Sequence, residues 1–210
     1  MADSDRRDFF ARIDESDDEE FYRPPRRVVH IDDGAIVTVG EIYADRIAQG
    51  SEILDLMSSW RSHLPERMRP ARLVGLGLNR EEMEDNPALT AIVIHNVNRE
   101  PRLPFPDHAF DAAVMTVSVQ YLTRPIDTFR ETGRILRAGG CFIVTFSNRM
   151  FPTKAVALWQ GASDRDRVEI VKQYFAQSGA FETIEVIDMS RREGPPSDPI
   201  WAVIGYTAKV

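Results

Sequence analysis

Seven short apolar runs, separated by stretches with helical spacing, leave this chain few folds to choose from. The runs are Glu52 to Leu56, Arg72 to Leu76, Ala91 to His95, Phe110 to Thr116, Gly140 to Phe146, Ile184 to Ile187 and Ile200 to Tyr206. Several are unbroken apolar strings, the pattern of strands covered on both faces. Between the fourth and fifth runs, Ile126, Phe129, Gly133 and Leu136 fall at helical spacing behind Pro125 and Asp127, with Arg134 and Arg137 near the end and Gly139-Gly140 as a stop. Val168, Val171, Tyr174 and Phe175 mark a helix from Arg167 to Gln177, closed by Gly179. A shorter helix is predicted from Ala35 to Ile47. Strands alternating with helices predict an α/β fold: a mostly parallel seven-stranded sheet, helices on both faces, right-handed crossovers. Ligands of such sheets sit beyond the carboxyl ends of the strands, where strand order reverses.

Charge divides the chain unevenly. Of 33 acids and 26 Lys and Arg (net −7), residues 1–20 hold nine acids and three arginines, so the rest is close to neutral. Residues 1–22 are therefore expected to form an acidic arm, mobile at its tip, with Phe9 and Phe10 available for docking; residues 23–210 form one domain. A near-neutral body argues against a nucleic-acid partner. No apolar stretch is long enough to span a bilayer and the N-terminus lacks a signal-peptide core, so a cytoplasmic protein without membrane contact is expected. One cysteine, Cys141, allows neither an internal disulfide nor a cysteine-based zinc site, and no metal is expected. It falls early in a buried strand, where a thiol behaves as a small hydrophobe. The chain has no Gly-x-Ser-x-Gly elbow, zinc-binding His-x-x-x-His or phosphate-binding Gly-Lys-Ser/Thr turn.

From Ser51 to Ser147 the order of segments resembles the class I S-adenosylmethionine-dependent methyltransferases, in the small form described as methyltransferase type 11. Two segments carry the likeness: LPFPDHAFDAAVMTVSVQYL at 103–122 and RETGRILRAGGCFIVTFSN at 130–148. The resemblance implies a Rossmann-like methyltransferase fold with an antiparallel C-terminal strand, S-adenosylmethionine as cofactor and a small molecule as methyl acceptor. The oligomeric state is expected to be monomer or homodimer.

Carried over position by position, the resemblance places the cofactor against Asp55, Met57, Ser58 and Ser59 after the first strand, Gly77, Leu78 and Asn79 after the second, Asn96 and Val97 after the third, and Thr116 and Val117 at the end of the fourth. Two motifs depart from the family. The three positions that usually hold glycine after the first strand are Met57, Ser59 and Arg61. Ser58 or Ser59 is expected instead to cap a helix through Trp60 to Leu64. Gly77 stands where an acid usually holds the ribose, a role left to Asn79, Glu81 or Glu82. Gly75-Leu76-Gly77 lacks the third glycine of a dinucleotide fingerprint. Asn96 offers an acceptor oxygen for adenine, or simply makes a turn.

Methyl transfer needs alignment more than a fixed set of reacting groups, so no catalytic residue is assigned. Trp60, His63, Gln120 and Tyr121 are candidates for substrate contact, beside Thr116 and Ser118. His30, ahead of Asp32 and Asp33, belongs to a loop with solvated acids, or else to a lid over the site that binds a cation or substrate amine. The stretch from Met150 to Ser163 brings Met150, Phe151 and Trp159, to line a pocket or to cover the sheet. The alternative is the same fold with its transferase site eroded, serving as a binding or regulatory module.

Overall fold

The computed structural model describes residues 9–190 and 196–209. All seven runs are strands of one sheet: β1 Glu52–Leu56, β2 Arg72–Gly77, β3 Ala91–Ile94, β4 Phe110–Thr116, β5 Leu136–Phe146, β6 Thr183–Asp188 and β7 Trp201–Tyr206. Their order is β3-β2-β1-β4-β5-β7-β6. The pairs from β3 to β5 are parallel, and β7 runs antiparallel between β5 and β6. This is the expected Rossmann-like fold with its antiparallel C-terminal strand.

The helices are α1 Asp18–Phe21, α2 Asp33–Arg46, α3 Arg80–Glu84, α4 Pro125–Ile135, α5 Ala157–Gln160 and α6 Asp164–Ser178. The alternation along each strand sorts the core into two layers. Leu54, Leu56, Val74, Met115, Phe142 and Val144 face α4 and α6, where Phe175 sits 4.7 Å from Phe129 and 5.5 Å from Phe142. Ile53, Leu73, Val114, Ile143 and Ile204 face α2, which buries Ala35, Val39, Ile42 and Tyr43. Helix α6 starts on a capping box, Ser163 with Asp166, and ends at Gly179 in the left-handed region. Helix α4 stops at Ile135, earlier than expected, because Leu136 already pairs with Phe110. Gly139 and Gly140 therefore make no helix stop. Gly139, at φ 71°, lies where the β4–β5 register shifts, a turn of backbone that favours glycine.

One expected element is missing. No helix follows β1; residues 57–71 run as irregular chain. Met57 turns into the left-handed region (φ 59°), and the Ser58 N–H donates to the Leu76 carbonyl at 2.8 Å. The chain thereby crosses the end of β2 instead of rising into a helix. Pro65 and Pro70 then break any helical run.

The arm's first residues, 1–8, lie outside the described residues, and with them the expected mobility of its tip. From Phe9 to Tyr22 the arm lies against the body. The Asp14 N–H donates to the Thr153 carbonyl, the Ala157 N–H to the Ala11 carbonyl, and Phe10 packs 6.4 Å from Tyr174. Lys154, fully buried, donates to the Ser16 carbonyl at 2.6 Å and lies 3.4 Å from Asp18. No helix among the described residues is long and apolar enough to cross a membrane.

A Cβ at Gly205 would stand 2.4 Å from the ring of Phe175, which the aromatic cluster prevents from retreating. Gly205→Ala is expected to lower the unfolding free energy by about 1–3 kcal/mol, read as a lower urea midpoint with unchanged slope.

Candidate functional site

Strand order reverses between β1 and β4. Beyond the carboxyl ends of β1, β2 and β4, the structure encloses a cavity of ≈ 150 Å³. The cavity is lined by Asp55, Met57, Ser58 and Ser59 from the turn after β1, by Gly77, Leu78 and Asn79 after β2, by Asn96 and Val97 after β3, and by Thr116 and Val117 at the end of β4. Trp60, His63 and Tyr121 also line it. Gln120 does not: its amide donates to the Val117 carbonyl at 2.9 Å and is fully buried, because a single 3₁₀ turn over Val119–Tyr121 points it under the chain.

Asp55 organises the first wall. It is buried, and its Oδ2 accepts the hydroxyls of Ser58 at 2.7 Å and Ser62 at 2.6 Å. Burial raises its carboxyl to about 6, with the two serines pulling the other way. Ser59 donates to Glu82 at 2.5 Å. The serines thus serve carboxylates and cap no helix. Asn86 completes the set, donating to the Ser59 carbonyl and the Ser62 hydroxyl.

Gly77 has a steric explanation. A Cβ there would lie 2.3 Å from the Ser58 carbonyl oxygen. The crossing chain takes the space an acidic side chain would need, so the close approach that the family's turn glycines provide is supplied here from β2. Of the three stand-ins, Asn79 caps α3 and donates to the Tyr22 and Arg23 carbonyls, and Glu81 pairs with Arg27 at the surface. Glu82, buried, is the one whose carboxylate lines the cavity. The Asn96 oxygen accepts the Asn98 and Arg99 N–H groups, the turn-making alternative.

Backbone strain collects at this cavity. Among the described residues, four non-glycine residues have positive φ, and three of them line it: Met57 (59°), His63 (55°) and Val117 (46°). Such conformations cost on the order of 1–3 kcal/mol each, and the β-branched Val117 is the least suited to one. Two polar atoms on the wall are sealed from solvent without a partner, His63 Nδ1 and Ser118 Oγ. Burial, with the charges of Arg61 and His30, brings the His63 imidazole down to about 4, so it is neutral at pH 7. Tyr121 accepts the Phe151 N–H at 2.8 Å, and burial pushes its phenol up to about 12. Thr116 and Tyr43 hydroxyls lie 2.5 Å apart beneath the floor.

Sequence reasoning missed the roof. Arg12, Asp18 and Tyr22 of the arm, Arg26 just after it, and Lys154 also line the cavity. Of the predicted lid constellation only His30 does, with its ring 4.4 Å from Phe151. Asp32 instead caps α2 and accepts the Ser197 hydroxyl and Asp198 N–H. Phe151 faces the cavity; Trp159 is buried 5.3 Å from Phe146 and covers the sheet. No cluster of metal-ligating side chains exists among the described residues.

The raised Asp55 carboxyl makes a stability prediction. Between its ordinary value of 3.8 and about 6 the folded chain holds the proton more tightly than the unfolded chain, so stability falls as pH rises through that window and the loss persists above it. The full loss is up to roughly 3 kcal/mol. Asp55→Asn is therefore expected to raise the thermal midpoint relative to the parent at pH 7.5 and to lose that advantage at pH 4, measured by calorimetry.

Residues 62–144 match the model of a family described as methyltransferase domain. A malonyl-[acyl-carrier protein] O-methyltransferase of Marinomonas sp. (strain MWYL1) is 27% identical over 90 residues, 42% of this chain and 32% of that protein. The match thus spans about a third of that relative's length. Among solved structures, a Thermotoga maritima S-adenosylmethionine-dependent methyltransferase, described as a possible histamine N-methyltransferase, superposes with TM-score 0.59 at 16% identity, covering 83% of this chain and 89% of that one. The [4+2]-cyclase SpnF gives 0.61 at 16%, covering 82% of each. The phosphoethanolamine N-methyltransferase 2 of Haemonchus contortus, in complex with S-adenosyl-L-methionine, gives 0.59 at 11%, covering 84% of this chain and 53% of that one. At these identities the structures share a fold, and the cyclase shows that the fold hosts more than one chemistry. Over residues 62–144 the chain is similar to a methyltransferase-domain family, and it shares the fold of these methyltransferases, with irregular chain in place of the helix expected after the first strand.

Proposed function

We propose that this chain is an S-adenosylmethionine-dependent methyltransferase acting on a small molecule. The observation that carries this reading is the cavity at the switch point, into which four strand ends and three strained residues converge. When bound, the cofactor supplies an activated methyl group on a sulfonium.

The residues present fit it. Asp55 gives a buried carboxylate to a cation, Glu82 and Ser59 accept and donate to hydroxyls, and Leu78, Val97 and Val117 offer apolar wall to a purine. The orphaned His63 Nδ1 and Ser118 Oγ leave hydrogen-bonding capacity that only a ligand or water can fill. What these residues do for the reaction is hold and align. The arm covers the site, and a covered site strengthens each charge interaction within it. His63, neutral near pH 7, adds no charge that would repel a positive donor.

A second reading, a domain retained for binding alone, is favoured by two observations: the helix after β1 is gone, and Ser58 fills the space beside Gly77. Calorimetric titration separates the two. S-adenosylmethionine and S-adenosylhomocysteine are both expected to bind; no heat from either at millimolar concentration, with the protein folded, would leave the second reading standing. Affinity for the cationic donor is expected to fall about tenfold from pH 7.5 to 5, as Asp55 takes up its proton, and to be flat over that range in Asp55→Asn.

A further inference from the structure

We infer that the methyl acceptor carries an anionic group, a carboxylate or phosphate, seated beneath the arm between Arg12 and Arg26. This rests on the methyltransferase reading and names its substrate class.

The cavity lining carries Arg12, Arg26, Arg61 and Lys154 against Asp18, Asp55 and Glu82; Glu82 accepts the Arg26 backbone N–H and the Ser59 hydroxyl. Asp18 is already spent: Oδ1 accepts Arg12 at 2.6 Å and Oδ2 accepts Asn98 at 2.8 Å. Lys154 is balanced by Ser16, Asp18 and Asp14, the last 3.6 Å away and outside the cavity. Of the two guanidinium groups, Arg12 spends only Nη1 on Asp18, and Arg26 meets no acid. Arg26 donates Nε and Nη2 to the Phe21 carbonyl at 3.2 and 3.1 Å and lies 4.0 Å over the Phe21 ring, but no carboxylate among the described residues pairs with it. The Arg12 side chain is only 8% exposed, and its Nε is sealed from solvent without a partner. Glu15, the acid on that side, stands 3.7 Å away, beyond hydrogen-bond reach and mostly in water.

A buried guanidinium N–H left unpaired is costly, and a planar anion is the partner its fork fits. An amine or ammonium acceptor at this end of the cavity would face these two guanidinium groups, with Asp18 and Glu82 already accepting hydrogen bonds, and the sulfonium would add to the repulsion. The charge at this end of the cavity therefore favours an anion over a cation.

One other source of the same chemistry is the cofactor's own methionine carboxylate, and the experiment separates them. Malonate, inorganic phosphate and choline are titrated into the protein alone and with saturating S-adenosylhomocysteine, with the thermal midpoint as readout. Malonate or phosphate at about 10 mM is expected to raise the midpoint by about 3 °C, and choline to leave it unmoved. Arg26→Met should abolish that shift while S-adenosylhomocysteine affinity stays within about threefold of the parent. Arg26→Gln, which keeps a donor for the Phe21 carbonyl without the charge, should behave alike and serves if the first variant does not fold. Stabilisation by choline, no shift with either anion, or an anion shift that survives both substitutions overturns the inference. So does a tenfold or greater loss of S-adenosylhomocysteine affinity on removing Arg26, which assigns that guanidinium to the cofactor. Should the parent protein not bind S-adenosylhomocysteine, the methyltransferase reading fails, and the anion arm is still read on the protein alone.

Discussion

A carboxylate shut away from water, Asp55 at the end of the first strand, ties the site together. Its Oδ2 accepts Ser58 and Ser62, and so holds both ends of a loop that would otherwise have no structure of its own. With that loop in place Ser58 bonds across to Leu76, Ser59 reaches Glu82, and Asn86 fastens the far side. The cavity floor is thus built from hydrogen bonds to buried acids, where a helix would have built it from backbone alone. Burial raises the carboxyl in return, and a bound cation would relieve that cost.

The second constraint comes from the roof. The arm is held by polar contacts more than apolar ones: Lys154 with Ser16, Arg12 and Asn98 with Asp18, Asn79 with the Tyr22 and Arg23 carbonyls. Phe10 and Phe21 add aromatic contacts at its two ends. Arg12 and Asp18 sit both on the cavity and on an open groove that continues towards Thr123 and Tyr174, so their ion pair stands between solvent and site.

Much of the site was legible as position and little of it as partnership. Asp55, Gly77, Leu78, Asn96 and Thr116 were positions that the family resemblance implied, and they line one cavity because strand ends converge in this topology whatever the side chains do. Gln120 was misplaced for the same reason: it follows β4, but one 3₁₀ turn aims it at the Val117 carbonyl. Gly77 read as a lost acid; the structure shows a glycine required by a carbonyl 2.3 Å from where its Cβ would be. The helix expected after β1 failed because capping serines look the same when their hydroxyls go to carboxylates instead of helix amides.

By itself, then, the sequence determined the seven strands and the three longer helices, because periodicity and breakers act between neighbours along the chain; the antiparallel strand beside a parallel sheet was implied by the family resemblance. The tertiary structure alone decided the path after β1, the covering of the crevice by an acidic arm, and the balance of charge beneath it. Those depend on pairs such as Lys154 with Ser16, 138 residues apart, whose meeting no local pattern encodes. An acidic segment reads as solvated until a buried lysine is found at the place where it lands.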